Sequence, residues 1–279
     1  MKNYIKAGGS SKIGNYIKAV ASGPLLDPDA AAFLTAASIT DNTQKTAINN
    51  LVVNLKAAGI WSKMKAVYPF VGGTATTHKW NLKDPQDTDA AFRLVFNGGM
   101  THSSNGIQFG GVNGYADTKL NMSSNYTAND NTHISFYSRT ASANSSDFEM
   151  GVFNGTTTTA ITLRRADVSN QSLFVINFNA YITYIDSNAA AFYISNRLGT
   201  DMNGWRNSTK VTSSVSTAIT RPSLNMFIGN LNTSGSPNPG LWSSRQCAFA
   251  SIGDGLTDTE AADFYTAVQN FNTTLSRNV

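Results

Sequence analysis

The sequence has little cysteine, little charge and no long apolar run. Its 279 residues contain one cysteine, Cys247, which excludes an internal disulfide framework. Charged residues make up 14% of the chain, and no apolar run approaches the ~20 residues that a membrane-spanning helix needs, so no membrane span is predicted. Asparagine, serine, threonine and glycine are plentiful instead, which favours β-structure with many turns over a helical bundle.

Acidic residues are scarce at the front of the chain. Residues 1–80 carry nine lysines, no arginine and three aspartates, a net charge of +6, whereas residues 81–279 carry a net charge of −2. Within this basic part the run NYIKA occurs twice, at 3–7 and 15–19, on either side of a glycine–serine spacer. Lysines interrupt every apolar stretch there, so the sequence predicts no signal peptide.

The segment at residues 1–25 has too few apolar side chains to fold alone. It is either a disordered tail or an extended arm that orders on a partner. The duplicated run favours a basic assembly arm, because two linked weak contacts raise the effective concentration of the second. In this interpretation the contact residues are Tyr4, Ile5, Lys6, Tyr16, Ile17 and Lys18.

Residues 26–80 are predicted to form a small helical module. Asp27 and Asp41 each stand at an N-cap position, and the helix that follows Asp41 ends at Gly59. Residues 60–70 are expected to add one further helical turn. The module has one apolar face, which packs either on the rest of the chain or on another copy.

Residues 81–279 are predicted to form a mainly β domain with one helix at its C-terminal end. Short β-branched and aromatic runs alternate with Asn-Gly turns, a pattern typical of a sandwich or jelly roll. Thr257 and Glu260 form a capping box, after which Phe264 and Phe271 mark the helix face that docks on a sheet. The predicted strands are 92–97, 107–109, 133–138, 148–153, 160–164, 173–177, 191–195, 226–228 and 247–252.

Several stretches carry a family resemblance. The runs FYISNR at 192–197, FIGN at 227–230 and AFASIGDGLTDTEAADFYTAVQNF at 248–271 resemble a laminin-G-like, concanavalin A-like domain. The stretch WSKMKAVYPFVGGTATTHKWNLKDP at 61–85 resembles a block that accompanies this domain in bacteriophage structural proteins. The resemblance implies a concanavalin A-like jelly-roll β-sandwich in a virion protein, such as a head fibre, a tail fibre, a spike or a decoration protein.

The resemblance implies a role on the virion surface. The N-terminal part would anchor the protein to capsid, portal or tail proteins, and the lectin-like sandwich would be displayed for attachment to host-surface glycans. We expect a homo-oligomer, such as a trimer, assembled into the virion in the host cytoplasm. No cofactor and no specific nucleic acid is expected, since the lysines of the arm lack interleaved arginines. The alternative is a carbohydrate-active enzyme on the same fold.

The residues themselves predict that the chain is not an enzyme. A glycosidase generally needs two carboxylates that face a sugar from fixed distances. The chain has two glutamates, of which Glu260 serves the helix cap, and Glu149 shares a strand face with Asp147. The E-x-D-x-x-E run of glucanases is absent, and no serine lies in a G-x-S-x-G run. The catalytic residues are therefore predicted as none.

Glycan contact has better candidates. An exposed aromatic ring with amide or charged neighbours suits a sugar, which has apolar faces and a polar rim. Trp205 follows an Asn-Gly turn beside Asn203 and Arg206, and Trp242 lies in a loop rich in proline and glycine. Each tryptophan has an equally good structural interpretation, namely that it covers the edge of a sheet.

A metal site is a weak candidate. Asp84, Asp87 and Asp89 lie close together in the run KDPQDTDA, and loops rich in oxygen ligands hold calcium. The run lacks a complete calcium-loop motif, so a polar turn is favoured and no metal is predicted.

Overall fold

The computed structural model describes residues 26–279, so the predicted assembly arm at residues 1–25 lies outside the described residues. The α-helices are α1 (Pro28–Ala36), α2 (Asn42–Ala57), α3 (Ala75–His78) and α4 (Asp258–Thr274). The strands are β1 (Met64–Tyr68), β2 (Val95–Asn97), β3 (Met100–Ser103), β4 (Gly106–Phe109), β5 (Tyr115–Asn121), β6 (Asn131–Ser138), β7 (Met150–Phe153), β8 (Thr158–Arg165), β9 (Gln171–Phe178), β10 (Ile182–Ile185), β11 (Ala191–Leu198), β12 (Asp201–Arg206), β13 (Thr209–Val215), β14 (Asn225–Ile228), β15 (Leu231–Thr233), β16 (Ser236–Pro237) and β17 (Gln246–Gly253). None of the described helices is long and apolar enough to cross a membrane.

The strands form two mainly antiparallel sheets that pack face to face as a jelly-roll sandwich, which confirms the predicted fold class. The first, called the helix-side sheet, has the order β13-β12-β11-β6-β17-β4-β3, and β1 also pairs with β17. The second, called the outer sheet, has the order β10-β9-β8-β7-β14-β5-β2, with β15 and β16 beside β7. Each of the nine predicted strands overlaps a strand of these sheets.

Strand β11 shows how the sequence fills both faces of the helix-side sheet. Ala191 and Tyr193 belong to the core between the sheets, whereas Phe192 and Ile194 belong to the core beneath the helices, because successive side chains alternate between faces. Full burial of a large apolar side chain contributes about 1.5–3 kcal/mol. Both faces of β11 are covered, and this explains why its sequence is a nearly continuous apolar run.

The helices form a third layer on the helix-side sheet. Phe264 of α4 meets Phe192 and Phe249 edge-on, with ring centroids 5.1 Å and 5.9 Å away. The predicted capping box is present, since the Thr257 side chain accepts from the Glu260 backbone and the Glu260 side chain accepts from the Thr257 backbone. Among residues 26–279, α1, α2 and α4 share one core with the helix-side sheet, which leaves the opposite face of the outer sheet without α-helical cover.

Residues 60–70 do not add the expected helical turn beyond one short 3-10 turn. Strand β1 follows it and pairs antiparallel with β17, from Met64 opposite Gly253 to Tyr68 opposite Ala250. The predicted helical turn is therefore limited to Trp61–Lys63, because the apolar residues of Met64–Tyr68 alternate between two cores, which suits a strand. The sequence analysis placed this segment in the helical module of residues 26–80, whereas in the structure it extends the sandwich.

Candidate glycan-binding face

The exposed face of the outer sheet carries a mixed aromatic and polar surface centred on β5. Ala116 and Leu120 of this strand belong to the sandwich core. Tyr115, Asp117 and Lys119 lie on the opposite face and are half-buried. This strict alternation is what a strand shows when one face packs on a core and the other meets solvent.

Aromatic rings form one end of this surface. The ring of Tyr115 lies 4.6 Å from Phe227 and 6.2 Å from Trp242, measured between centroids. Phe227 is 4% exposed and serves as a floor, whereas Tyr115 and Trp242 are half-buried and keep part of each ring in solvent. The loop turns before Trp242 at Gly240, whose φ of +100° is a conformation that glycine adopts without strain.

Polar groups form the other end, where β5 carries a bulge. Asn225 of β14 pairs with Asn121 of β5, and Phe227 pairs with Asp117. Between these two pairs β14 advances by two residues and β5 by four, so β5 holds two extra residues there. The bulge places Lys119 at a φ of +59°, in the left-handed region that a residue with a Cβ rarely adopts. The backbone N–H of Lys119 donates to Asp117 Oδ1 at 2.8 Å.

Asp117 joins the polar groups into one network. Its Oδ2 lies 3.0 Å from Lys119 Nζ and accepts from Asn225 Nδ2 at 3.4 Å. The carboxylate and the ammonium balance each other, so the network as a whole is neutral. Partial burial, with a smaller contribution from the Asp117 carboxylate, raises the pKa of the Tyr115 phenol, which therefore keeps its proton at neutral pH.

We call Tyr115, Asp117, Lys119, Asn225 and Trp242 the β5 face. It combines two partly exposed ring faces with a carboxylate acceptor, an ammonium donor and an amide. Such a surface fits a ligand that is apolar on one side and carries hydroxyls at its rim, as a sugar ring does.

The structure does not bring the predicted glycan residues together. Trp205 is 4% exposed and packs in the core beneath the helices, so it cannot stack on a sugar. Asn203 is 6% exposed, and Arg206 reaches the carboxylate of Asp186 at 3.4 Å. The prediction is wrong for Trp205 and Asn203, because both faces of the helix-side sheet are buried where β12 carries them, whereas Arg206 keeps 24% of its side chain exposed and stays a prediction. Trp242 alone lies on an open face.

The sequence analysis missed Tyr115, Asp117, Lys119 and Asn225. Their signal was present as the alternation of apolar and polar residues in YADTKLN, but that run is too polar to be chosen as a strand. Their closeness to Trp242 depends on the pairing of β5 with β14 and on a loop far along the chain. Neither can be read from local sequence.

Two of the three aspartates of the candidate metal loop, Asp87 and Asp89, form ion pairs with cations of the chain. Asp87 lies 2.6 Å from Lys79 Nζ and 3.3 Å from Arg93 Nε, and Asp89 lies 3.0 Å from the same guanidinium. The Asp84 side chain accepts from the Gln86 side chain at 2.9 Å and pairs with no cation of the described residues. Within residues 26–279 no group of three or more His, Cys, Asp or Glu side chains is arranged to hold a metal ion.

The acidic pair on either side of Phe148 is not exposed to a substrate. Glu149 is fully buried, and its Oε1 accepts from Arg245 Nε at 2.7 Å. Burial raises the pKa of Glu149 to about 7, although the neighbouring guanidinium opposes the shift. Asp147 accepts from the backbone and hydroxyl of Ser244, and burial raises its pKa as well. These carboxylates tie the β16–β17 loop and the start of β17 to the outer sheet.

No family model matches the chain, and no curated protein matches it. Solved structures share its fold. Domain 4 of AbnA, a GH43 extracellular arabinanase from Geobacillus stearothermophilus in complex with arabinotriose, matches at 12% identity with a TM-score of 0.43, over 72% of this chain and 98% of that one. The Trypanosoma rangeli sialidase matches at 12% identity with a TM-score of 0.47, over 79% of this chain and 39% of the sialidase. The CBM40 domain of the Ruminococcus gnavus IT-sialidase matches at 13% identity with a TM-score of 0.37, over 48% and 82%.

These comparisons overturn the prediction that the chain is not an enzyme. The matched structures include parts of proteins named as an arabinanase and as sialidases. The chain spans 27% of the NanB sialidase from Streptococcus pneumoniae and 39% of the Trypanosoma rangeli sialidase.

Proposed function

We propose that the chain is a virion surface protein whose sandwich binds glycans of the host surface through the β5 face. The observation that carries the glycan part is the pair of partly exposed rings, Tyr115 and Trp242, next to Asp117 on a sheet face without α-helical cover. Sugar rings stack on aromatic faces, and their hydroxyls pair with the carboxylate and amide beside them.

The proposal needs one part of the chain to attach to the particle and another part to bind the glycan, and the layered architecture supports this separation. Leu26, the first described residue, packs against the core of the helical layer. The backbone N–H of Asp27 donates to Asn49 of α2 at 2.7 Å. The β5 face lies on the solvent side of the outer sheet, so both sheets of the sandwich separate it from the helical layer. The N-terminal part can therefore hold a particle while the outer sheet remains free for a ligand. The virion setting itself rests on the sequence resemblance to bacteriophage structural proteins.

A glycan array tests the binding site. The purified protein is applied to immobilised neutral and sialylated oligosaccharides, and the strongest ligand is then titrated in solution. Trp242→Ala should weaken binding at least about tenfold, which equals about 1.4 kcal/mol of binding free energy. Release of reducing sugar is measured on the same ligand, and turnover would identify the carbohydrate-active enzyme.

Trp80→Ala is the matched control. Trp80 is half-buried like Trp242, but it packs against the core beneath the helices. It should leave glycan affinity unchanged. Equal losses in both variants, or binding by neither the wild type nor the variants, would contradict a glycan site on the β5 face.

A further inference from the structure

We propose that the bulge of β5 is a subsite that recognises two adjacent hydroxyls of an uncharged sugar residue, with Asp117 as acceptor and Lys119 as donor. This inference rests on the proposed function, because the sugar would stack on Tyr115 and Trp242 beside the bulge. It goes further by naming the ligand class and the residues that select it.

The backbone conformation of Lys119 is the first observation. A residue with a Cβ at a φ of +59° is strained, and glycine would occupy the position without strain. The bulge is also held in place on its inner side, where Thr118 Oγ1 donates to the Met226 carbonyl at 2.8 Å and accepts from the Leu120 N–H at 3.2 Å. A strained position that the surroundings fix this firmly points to a role for its side chain.

The side-chain geometry is the second observation. Lys119 Nζ lies 3.0 Å from Asp117 Oδ2, and the two side chains are 26% and 13% exposed. An ammonium has three N–H donors and a carboxylate has about four acceptor positions. Asp117 already accepts from the Lys119 N–H, from Lys119 Nζ and from Asn225, so the pair keeps free donors on Lys119 and about one free acceptor position on Asp117. One sugar hydroxyl can donate to Asp117 while its neighbour accepts from Lys119.

Charge selects the ligand class. Because the Asp117–Lys119 pair is neutral as a whole, an acidic sugar gains attraction from the ammonium and loses it to the carboxylate beside it. An uncharged sugar has no such conflict. The subsite lies two residues from Tyr115 on the same face, a rise of about 7 Å along the strand, so ring stacking and hydroxyl recognition can act on one ligand.

Lys119→Gly separates function from structure. The substitution relieves the left-handed strain and removes the donor, so the midpoint of thermal unfolding should stay unchanged or rise. The affinity for the strongest neutral oligosaccharide of the array should fall at least about fivefold. An analogue of that oligosaccharide in which the hydroxyl that accepts from Lys119 is replaced by hydrogen should bind wild type and variant equally.

Ser169→Gly is the control for strain relief. Ser169 has a φ of +61°, is exposed and lies in the turn between β8 and β9, away from β5. It should gain as much stability as Lys119→Gly without any change in affinity. An unchanged affinity of Lys119→Gly, while Trp242→Ala loses binding, overturns the subsite and leaves the glycan site standing. Exclusive binding of sialylated ligands overturns the ligand class, and a wild type that binds no glycan overturns both proposals.

Discussion

At the scale of single residues, two histidines show how burial fixes a protonation state. His78 Nδ1 and His102 Nδ1 lie 3.0 Å apart, and His78 Nε2 accepts from the Gly73 N–H at 3.2 Å. His78 must therefore carry its one proton on Nδ1 and donate it to His102. A further proton on either facing Nδ1, or on His78 Nε2, breaks one of these hydrogen bonds. His102 lies in β3, where its ring packs against His78 and Phe96.

This pair should make stability depend on pH. Burial, His102 and Arg277 lower the pKa of His78 to about 3, and burial lowers the pKa of His102. A histidine whose pKa is lower in the folded state contributes its full stability at pH values above its unfolded pKa of about 6.5. That stability is lost as the pH falls from this value towards the folded pKa. Wild type should therefore lose stability relative to His102→Gln between pH 7 and pH 5, by up to about 1.4 kcal/mol per pH unit for each proton.

Urea unfolding of both proteins at several pH values measures this difference. Comparing wild type with the variant cancels the contributions of His133 and Glu149, whose pKa values are also shifted by burial. Hydrogen exchange of the Gly73 amide adds a local readout, because its acceptor is lost when His78 Nε2 is protonated. A constant difference between the two proteins across this pH range would show that the pair does not resist protonation.

At the scale of elements, α4 is the part of the fold that the sequence predicted best. Its capping box is local, and its apolar side chains recur at helical spacing, so both features could be read without knowing the rest of the chain. Strands β12 and β13 were missed for the opposite reason. Most of their residues are polar or small, and β13 is the edge strand of its sheet, so the sheet rather than the local sequence holds them in place.

Two substitutions in α4 should differ in cost. Phe264→Ala should lower the free energy of unfolding by ~3–5 kcal/mol, because the ring is fully buried against Phe192, Phe249 and His133. Thr257→Ala should cost about 1 kcal/mol, since it removes one capping bond near the surface. Chemical denaturation of the three proteins measures both values. Small and equal effects would mean that α4 does not hold the helical layer to the sheet.

The difference between local sequence signals and long-range packing also explains why the glycan site was only partly predictable. Trp205 and Trp242 have similar local surroundings, each beside asparagine or glycine in a turn-rich run. Trp205 became part of the core because helices cover the face it lies on, whereas Trp242 lies over a sheet that they leave open. Which sheet face receives the helices is decided by packing between distant segments. A single sequence does not contain that information in readable form.

At the scale of the whole molecule, the three layers separate two surfaces that the proposed function assigns to different partners. The chain enters the described structure in the helical layer, at Leu26, and the β5 face lies on the far side of the sandwich. Changes at one surface should therefore leave the other intact, because residues that are far apart and share no contacts act independently. This independence allows particle incorporation and glycan binding to be tested as separate properties of one protein.

Deletion of residues 1–20 should abolish incorporation into particles and leave glycan affinity and unfolding unchanged. The reason is the repeated run NYIKA, whose Tyr4-Ile5 and Tyr16-Ile17 pairs lie twelve residues apart and can reach about 40 Å when extended, enough for neighbouring sites on a shell. Replacing one pair with serine should reduce incorporation in part, and replacing both should abolish it. Trp242→Ala should show the reverse pattern, with normal incorporation and lost binding. Copy number is measured on purified particles by quantitative mass spectrometry, and a truncated protein present at the wild-type copy number would mean that this segment is not an assembly arm.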